Sequence, residues 1–334
     1  MKRAPQKSLL FITSLPSLGT GPAVYAKELS AALSKRYKIA YANKDKFIRE
    51  AFTPNKNLNG VIVTSESALP YAFLLKLFIL RLLGVPIIFV LHGVMGKELT
   101  RSAKKKALRI LEKILITLST RVVFVSAMFR SDYINSFKSK NLRLAINVRS
   151  VVIPNGTLPP SSSKRNTQQR QPFRVLFNGG IRAEKGLLLL LEVIQSAQNN
   201  CDIPFIFDVY GAEKLASEVV GKHTINYFPA APHQEMLNIY QDYDIFVSAS
   251  LYETFGISIC EAYTAGCKIV CYKKVGALEI IADRDRVFTF DNYNRESLHG
   301  ALVKAATVVP STEPRALPNW DDAGEMYNSL FSPD

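Results

Sequence analysis

The sequence predicts an α/β protein built from two parallel-sheet domains, and three observations predict it. Short apolar runs alternate with amphipathic helical stretches along almost the whole chain. One polar, Pro- and Ser-rich stretch interrupts that alternation near the middle. Gly, His and acidic residues gather in the segments that directly follow the apolar runs. Strands alternating with helices imply β-α-β units and a doubly wound sheet. A chain of 334 residues is too long for one ordinary domain and comfortable for two.

In the first half, Ser8–Thr13, Ile39–Ala42, Gly60–Thr64, Pro86–Leu91, Val122–Ser126 and Val151–Ile153 read as strands. Helical periodicity fills Ala23–Ser34, Ala72–Leu83, Ala103–Leu118 and Phe129–Ser136. From Pro159-Pro160-Ser161-Ser162-Ser163 to Arg170-Gln171-Pro172 the composition turns polar, as in an interdomain linker. The alternation then restarts. Phe173–Phe177, Ile206–Tyr210, Ile225–Tyr227, Ile245–Ser248, Lys268–Tyr272 and Val287–Phe290 read as strands, and Leu187–Ala197, Gln234–Tyr240, Ile257–Ala265 and Arg295–Ala306 as helices. The expected division is a first domain over 1–160, a linker over 161–172, a second domain over 173–310 and a terminal segment over 311–334.

Composition narrows the function classes. An apolar fraction of 48% with 21% charged residues describes a globular chain, not a disordered one. The formal net charge of +14 favours an anionic partner, and charge alone leaves nucleic acid, anionic lipid and phosphorylated substrates open. The interleaved aromatic and basic pattern of nucleic-acid modules is missing, so no nucleic-acid partner is expected. The start, Met1-Lys2-Arg3 then Leu9-Leu10-Phe11-Ile12, reads as a buried first strand rather than a secretory leader, since Pro16 and Gly19 follow at once. The apolar stretch Tyr71 to Leu83 contains Lys76 and Arg81 and is too short to span a bilayer. Cys201, Cys260, Cys267 and Cys271 show no CxxC pairing and read as core thiols of a reducing compartment. Neither half opens with a complete GxGxxG, which argues against a dinucleotide-dependent dehydrogenase.

In open α/β sheets, ligands bind beyond the carboxyl ends of the strands. That rule selects the loops Pro16–Pro22, Leu91–Lys97, Asn178–Gly186, Gly211–Lys214 and Ser248–Gly256, and predicts a site in a cleft between the domains. The most informative run is Tyr243-Asp244-Ile245-Phe246-Val247-Ser248-Ala249-Ser250-Leu251-Tyr252-Glu253-Thr254-Phe255-Gly256. A strand leads there to a polar loop, and a helix begins near Gly256. Unpaired N–H groups and the positive dipole end of a helix suit a diphosphate. Glu253 stands before that helix and Glu261 on its second turn. Such carboxylates accept hydrogen bonds from sugar or ribose hydroxyls. Read alone, they serve equally as a dipole-favoured helix acid and a solvated helix face.

Glu253 and Glu261, with Phe255-Gly256 between them and Ala262 after, resemble the Glu-x7-Glu signature of the family 4 glycosyltransferases. Gly266, Gly276 and Glu279 continue that pattern. Asn178-Gly179-Gly180-Ile181-Arg182-Ala183-Glu184-Lys185-Gly186 resembles the family's phosphate loop, and Val90-Leu91-His92-Gly93 the strand end bearing its active-site His. Val123-Phe124-Val125-Ser126, Val152-Ile153-Pro154-Asn155-Gly156 and Leu317-Pro318-Asn319-Trp320 resemble further landmarks, so the likeness covers nearly the whole chain.

The resemblance implies a GT-B fold: two Rossmann-like β/α/β domains facing a cleft, with a C-terminal helix crossing back to the first. It implies a retaining hexosyltransferase that uses a UDP- or GDP-sugar as co-substrate and no cofactor. The acceptor would be a glycan or lipid-linked glycan, in cell-surface polysaccharide assembly. By resemblance, Glu261 holds the donor ribose and Glu253 the donor sugar. Phe255, Gly256, Ile257 and Ser258 line the sugar and diphosphate through their backbone, Lys185 neutralises the diphosphate, and His92 lies on the acceptor side. Gly19 and Gly21 approach the donor by backbone.

Two positions depart from the family pattern. Gly180 stands where the family often has Arg, and Arg182 is the substitute candidate for the phosphates. Cys267-Lys268 follow Gly266 where a Pro is usual. No Asp-x-Asp metal signature precedes the donor site; Asp242-Tyr243-Asp244 opens a strand, at the end away from the expected ligand, so no metal is expected. Arg101, Lys104, Lys105, Lys106, Arg109 and Lys113 stud one helix, and Lys76 and Arg81 the one before it. These predict a basic face resting on anionic lipid, hence a cytoplasmic protein peripheral on the inner face of a membrane. The alternatives are a catalytically silent binding protein on the same scaffold and a nucleotide-sugar epimerase.

Overall fold

The computed structural model describes residues 7–13, 21–42, 58–64, 72–93, 103–159, 171–197, 202–213, 215–283, 285–311 and 313–331. The chain divides into two compact units, Met1–Gly156 with Pro318–Asp334, and Thr157–Leu317.

The first unit is a six-stranded parallel sheet in the order β2-β1-β3-β4-β5-β6. Its strands are β1 (Ser8–Ile12), β2 (Lys38–Ala42), β3 (Leu58–Val63), β4 (Ile87–Leu91), β5 (Arg121–Phe124) and β6 (Ser150–Val152). β1 and β4 are buried at every position, the pattern of strands covered on both faces. The helices are α1 (Gly21–Ser34), α2 (Ala72–Leu82), α3 (Ala103–Leu118), α4 (Ala127–Asn135) and α5 (Lys140–Arg149). Right-handed crossovers set α1 on one face of the sheet, because β2 lies to one side of β1, and set α2 to α5 on the other.

The last helix, α10 (Trp320–Ser329), belongs to this first unit and packs on α1, as the resemblance implies. Asn319 starts it with a full capping box closed by Asp322. Trp320, Ala323 and Tyr327 are buried, and the Tyr327 hydroxyl forms a short hydrogen bond with that of Tyr25. The exposed pairs Lys35–Asp321 and Arg36–Glu325, each at 2.6 Å, add little beside that burial.

The second unit is a seven-stranded sheet in the order β13-β12-β11-β7-β8-β10-β9. Its strands are β7 (Phe173–Asn178), β8 (Phe205–Tyr210), β9 (Glu218–Val220), β10 (His223–Phe228), β11 (Ile245–Ser248), β12 (Lys268–Tyr272) and β13 (Val287–Phe290). All pairs are parallel except the β9–β10 hairpin. Its helices are α6 (Leu187–Ala197), α7 (His233–Ile239), α8 (Ile257–Thr264) and α9 (Arg295–Thr307). Leu190, Val193 and Ile194 of α6 and Leu298 and Leu302 of α9 close a core over Val175, Phe207, Val209 and Val247.

Several features differ from expectation. α5 and β9 were not predicted: α5 buries only Ile146, so no apolar stripe marks it, and β9 is three residues long. The division falls after Gly156 and after Leu317. Residues 311–317 stay with the second unit because Asp285 accepts the backbone N–H and hydroxyl of Ser311, at 2.7 and 2.8 Å, and Arg315 pairs with Asp283 at 3.0 Å. Most of the 161–172 stretch lies outside the described residues.

Candidate functional site

In the second sheet the chain runs from β7 outward through β8 to β10 on one side, and through β11, β12 and β13 on the other. The strand order therefore reverses between β7 and β11, the place where α/β sheets open a crevice for ligands. The two loops that leave this switch point, Gly179–Gly186 and Ala249–Gly256, are those picked out from sequence.

These loops are locked together through backbone. Gly186 adopts φ +77°, and a Cβ on it would lie 2.1 Å from the carbonyl oxygen of Ala249. That same carbonyl accepts the Tyr293 hydroxyl at 2.7 Å. Across the loops, the Lys185 ammonium donates to Glu253 Oε2 at 2.8 Å, both side chains being about three-quarters buried. Glu253 is itself fixed by its main chain, whose N–H donates to Lys274 O at 3.0 Å and whose carbonyl accepts Gly276 N at 3.1 Å. Beyond its place before α8, Glu253 has its carboxylate engaged by Lys185, and Gly256 caps the helix with no side-chain hydrogen bond.

Gly256 has φ +99° and begins α8. Ile257 and Ser258 hold the first-turn N–H groups, which have no partner within a helix, at the positive dipole end. The Phe255 side chain is buried and its carbonyl accepts Ala277 N at 2.7 Å. One turn on, Glu261 is buried at 3% exposure, so the solvated-face reading fails. Its Oε1 lies 2.6 Å from His233 Nε2. The neighbouring Tyr240 hydroxyl is pushed well up by burial and then by the Glu261 charge. Burying a carboxylate without partners is expensive, and His233 supplies one.

His233 was not singled out from sequence. The available signal was position: it opens α7, just past the carboxyl end of β10, in a loop carrying Pro232. Arg182 is largely exposed, with its guanidinium 4.0 Å from Glu184. The glycine in place of the family's arginine has a physical reason. Gly180 sits at φ +60°, with its Cβ position 2.9 Å from Gly211 O, a backbone that strains any side chain. The absent proline has one too, since Cys267 N donates to Ala262 O at 2.9 Å and Lys268 N to Asp244 O at 2.9 Å. Asp244 stands at the amino end of β11, where its Oδ2 accepts Arg174 N at 2.9 Å.

His92 belongs to the first unit and follows β4 directly. The Tyr25 ring meets its imidazole edge-on, centroids 4.2 Å apart, and Trp320 packs on Tyr25 at 5.4 Å. Nε2 is shut away from solvent, and burial lowers the imidazole pKa to about 4, so the ring is neutral near pH 7. Gly21 begins α1, whereas Gly19 lies outside the described residues.

With this geometry in view, residues 160–307 match the model of the family Glycosyl transferases group 1. A UDP-N-acetylglucosamine--peptide N-acetylglucosaminyltransferase GtfA subunit from Streptococcus pneumoniae serotype 4 is 28% identical over 125 residues, which are 36% of this chain and 24% of that protein. The chain thus spans about a quarter of the length of the curated relatives it matches. Among solved structures, HepE from Anabaena, in complex with UDP and glucose, superposes with a TM-score of 0.66 at 13% identity, covering 97% of this chain and 99% of that one. Sucrose-phosphate synthase from Thermosynechococcus elongatus gives 0.65 at 13% identity, over 97% and 98%. The chain has the fold of the GT-B glycosyltransferases, and its residues 160–307 match the Glycosyl transferases group 1 family.

Proposed function

We propose that this protein is a retaining glycosyltransferase that moves a hexose from a nucleotide-diphosphate sugar to a glycan or lipid-linked glycan acceptor in cell-surface polysaccharide assembly. The observation that carries the reading is the switch point of the second sheet. There Lys185 and Glu253 meet across two loops locked by a glycine, and the helix that begins after Gly256 carries Glu261, engaged by His233. An ammonium has three donors, so Lys185 can keep Glu253 and still hold a diphosphate oxygen. It thereby offsets the charge that builds on the leaving group. Glu261, held through Oε1 by His233, addresses the ribose hydroxyls, and Glu253 the sugar. The backbone of Gly256, Ile257 and Ser258 lines the diphosphate. Retention follows from attack on the same face that the phosphate leaves.

UDP is the first base to test, because the GtfA relative is named for a UDP-sugar and HepE was solved with UDP; GDP remains the other candidate. The acceptor side belongs to the first unit, where His92 stands neutral, and it meets its substrate at an anionic membrane surface on the cytoplasmic side.

The test is thermal unfolding with UDP, GDP and ADP, for wild type and Glu261→Ala. A nucleotide at 100 times its dissociation constant adds roughly 2.7 kcal/mol of apparent stability. One nucleotide should shift the wild type and shift the variant less. No shift with any of them at millimolar concentration overturns the donor site and leaves a silent scaffold. A product whose anomeric configuration is inverted relative to the donor, read by NMR, overturns retention. Turnover of the sugar nucleotide to its epimer without acceptor identifies an epimerase.

A further inference from the structure

The basic helices of the first unit were expected to turn charge toward solvent. α2 does something else. Phe73 and Leu77 face the sheet and are buried. Lys76 is half-buried, with its ammonium 5.8 Å from the Phe73 ring centroid, and burial lowers its pKa. The outer face is aliphatic and aromatic: Leu75, Phe78, Ile79, Leu82 and Leu83 are 47–71% exposed. Their spacing of three, four, seven and eight residues places them on one helical stripe. α3 lies beside α2 and carries two further exposed apolar residues, Ile110 and Ile114. Contiguous apolar surface of this kind is rare on a monomer and marks an interaction site.

Charge identifies what covers it. α2, α3 and α5 lie on the same face of the sheet, and Arg149 of α5 donates to Thr117 O and Ser119 O at the end of α3. Together these three helices hold ten Lys and Arg residues and one acid. That acid, Glu112, is buried and accepts the Tyr133 hydroxyl. α4, alongside, carries one Arg and one Asp and adds no net charge. A second copy of this chain would bring the same excess of positive charge to the face, and like charges across an interface are repelled. An apolar stripe fringed by cations matches the boundary between acyl chains and anionic headgroups instead.

We propose that the first unit docks on anionic bilayers by inserting the α2 stripe into the headgroup–acyl boundary, while α3 and α5 hold the headgroups. No helix among the described residues is long and apolar enough to cross a membrane, so α2 lies in the interface plane. This deepens the membrane reading above by naming the inserted element, and it separates two modes of binding. Simple electrostatic adsorption vanishes when salt screens the charge; insertion does not.

The experiment is cosedimentation of the full chain with phosphatidylglycerol-containing vesicles and with phosphatidylcholine alone. Each is run at low salt and at about 1 M salt, where the Debye length falls to ~3 Å. Wild type should bind the anionic vesicles at low salt and keep a measurable bound fraction at high salt. Combining Leu75→Ser, Phe78→Ser and Leu82→Ser should abolish the salt-resistant fraction and cut low-salt partitioning by about tenfold or more. Arg109→Ala with Lys113→Ala should weaken low-salt binding and leave the salt-resistant part. The serine positions are exposed, so thermal unfolding and its UDP shift should be unchanged, which keeps this test independent of the donor site. Three outcomes overturn the proposal. One is no binding of wild type at low salt, which leaves the face to a protein partner. Another is binding lost completely at high salt and indifferent to the serine variant. The third is a stable dimer by light scattering that the serine variant dissociates.

Discussion

Gly186→Ala is the sharpest perturbation of the two switch-point loops. The residue sits at φ +77°, where a Cβ would stand 2.1 Å from the carbonyl oxygen of Ala249. Both partners are backbone, so no rotamer change relieves the clash. Reaching an ordinary C···O separation of about 3.3 Å requires the loops to part by roughly 1 Å. The left-handed backbone costs alanine about 1–2 kcal/mol and the overpacking about 1–3 kcal/mol. A total near 3 kcal/mol lowers the midpoint of a unit this size by roughly 6–12 °C. The same movement draws Lys185 Nζ away from Glu253 Oε2, now at 2.8 Å, and UDP stabilisation should shrink with it. The single tryptophan, Trp320, lies in the first unit. Its fluorescence transition should stay in place while the far-UV circular dichroism transition moves down. A variant that melts within about 2 °C of wild type and responds fully to UDP would refute the clamp.

His92 predicts acid sensitivity. Its pKa falls from 6.5 to about 4 on burial, so the unfolded state binds the proton first. The contribution is complete above pH 6.5 and is lost as pH falls toward 4, on the order of 3 kcal/mol over that window; urea midpoints of wild type should fall across it more steeply than those of His92→Phe, and equal slopes would refute the assignment. Tyr327→Phe strands the buried Tyr25 hydroxyl and should cost about 1–3 kcal/mol in the Trp320 transition, with Tyr25→Phe added on top recovering part of it. His233→Ala removes the 2.6 Å partner of Glu261. It should cost roughly 1.5–3 kcal/mol by urea unfolding and reduce the UDP shift, whereas an unchanged shift would show that Glu261 needs no such support.

The strands were legible because nearly all strand pairs are parallel and the inner strands are buried throughout, so β4 is an unbroken apolar run and β12 becomes one after Lys268. α3 was legible from its period, and α5 was not, since a single buried Ile146 leaves no stripe to see. The two switch-point loops stood among five selected because strand-to-helix loops follow from the β-α alternation; the strand order that singles them out does not. Nor do the pairings across them. Nothing local to residue 253 announces a lysine 68 positions earlier, or to residue 261 a histidine 28 positions earlier. The α2 stripe was misread for a related reason: composition counts Lys76 and Arg81 as surface charge, and only packing shows that Lys76 turns inward while the leucines turn out.

The first unit is assembled from both ends of the chain, with Thr157–Leu317 folded as a continuous piece between them. During synthesis at about 5–20 residues per second, the interval between Gly156 and Trp320 lasts roughly 8–32 s. Throughout it, the flank of α1 that carries Tyr25 and Ala32, later met by Tyr327 and Gly324, stands bare. Of the two units, the one whose translation starts earlier is thus completed later. It passes through a window in which its exposed helix invites chaperone capture, and the last turns of α10 decide when that window closes.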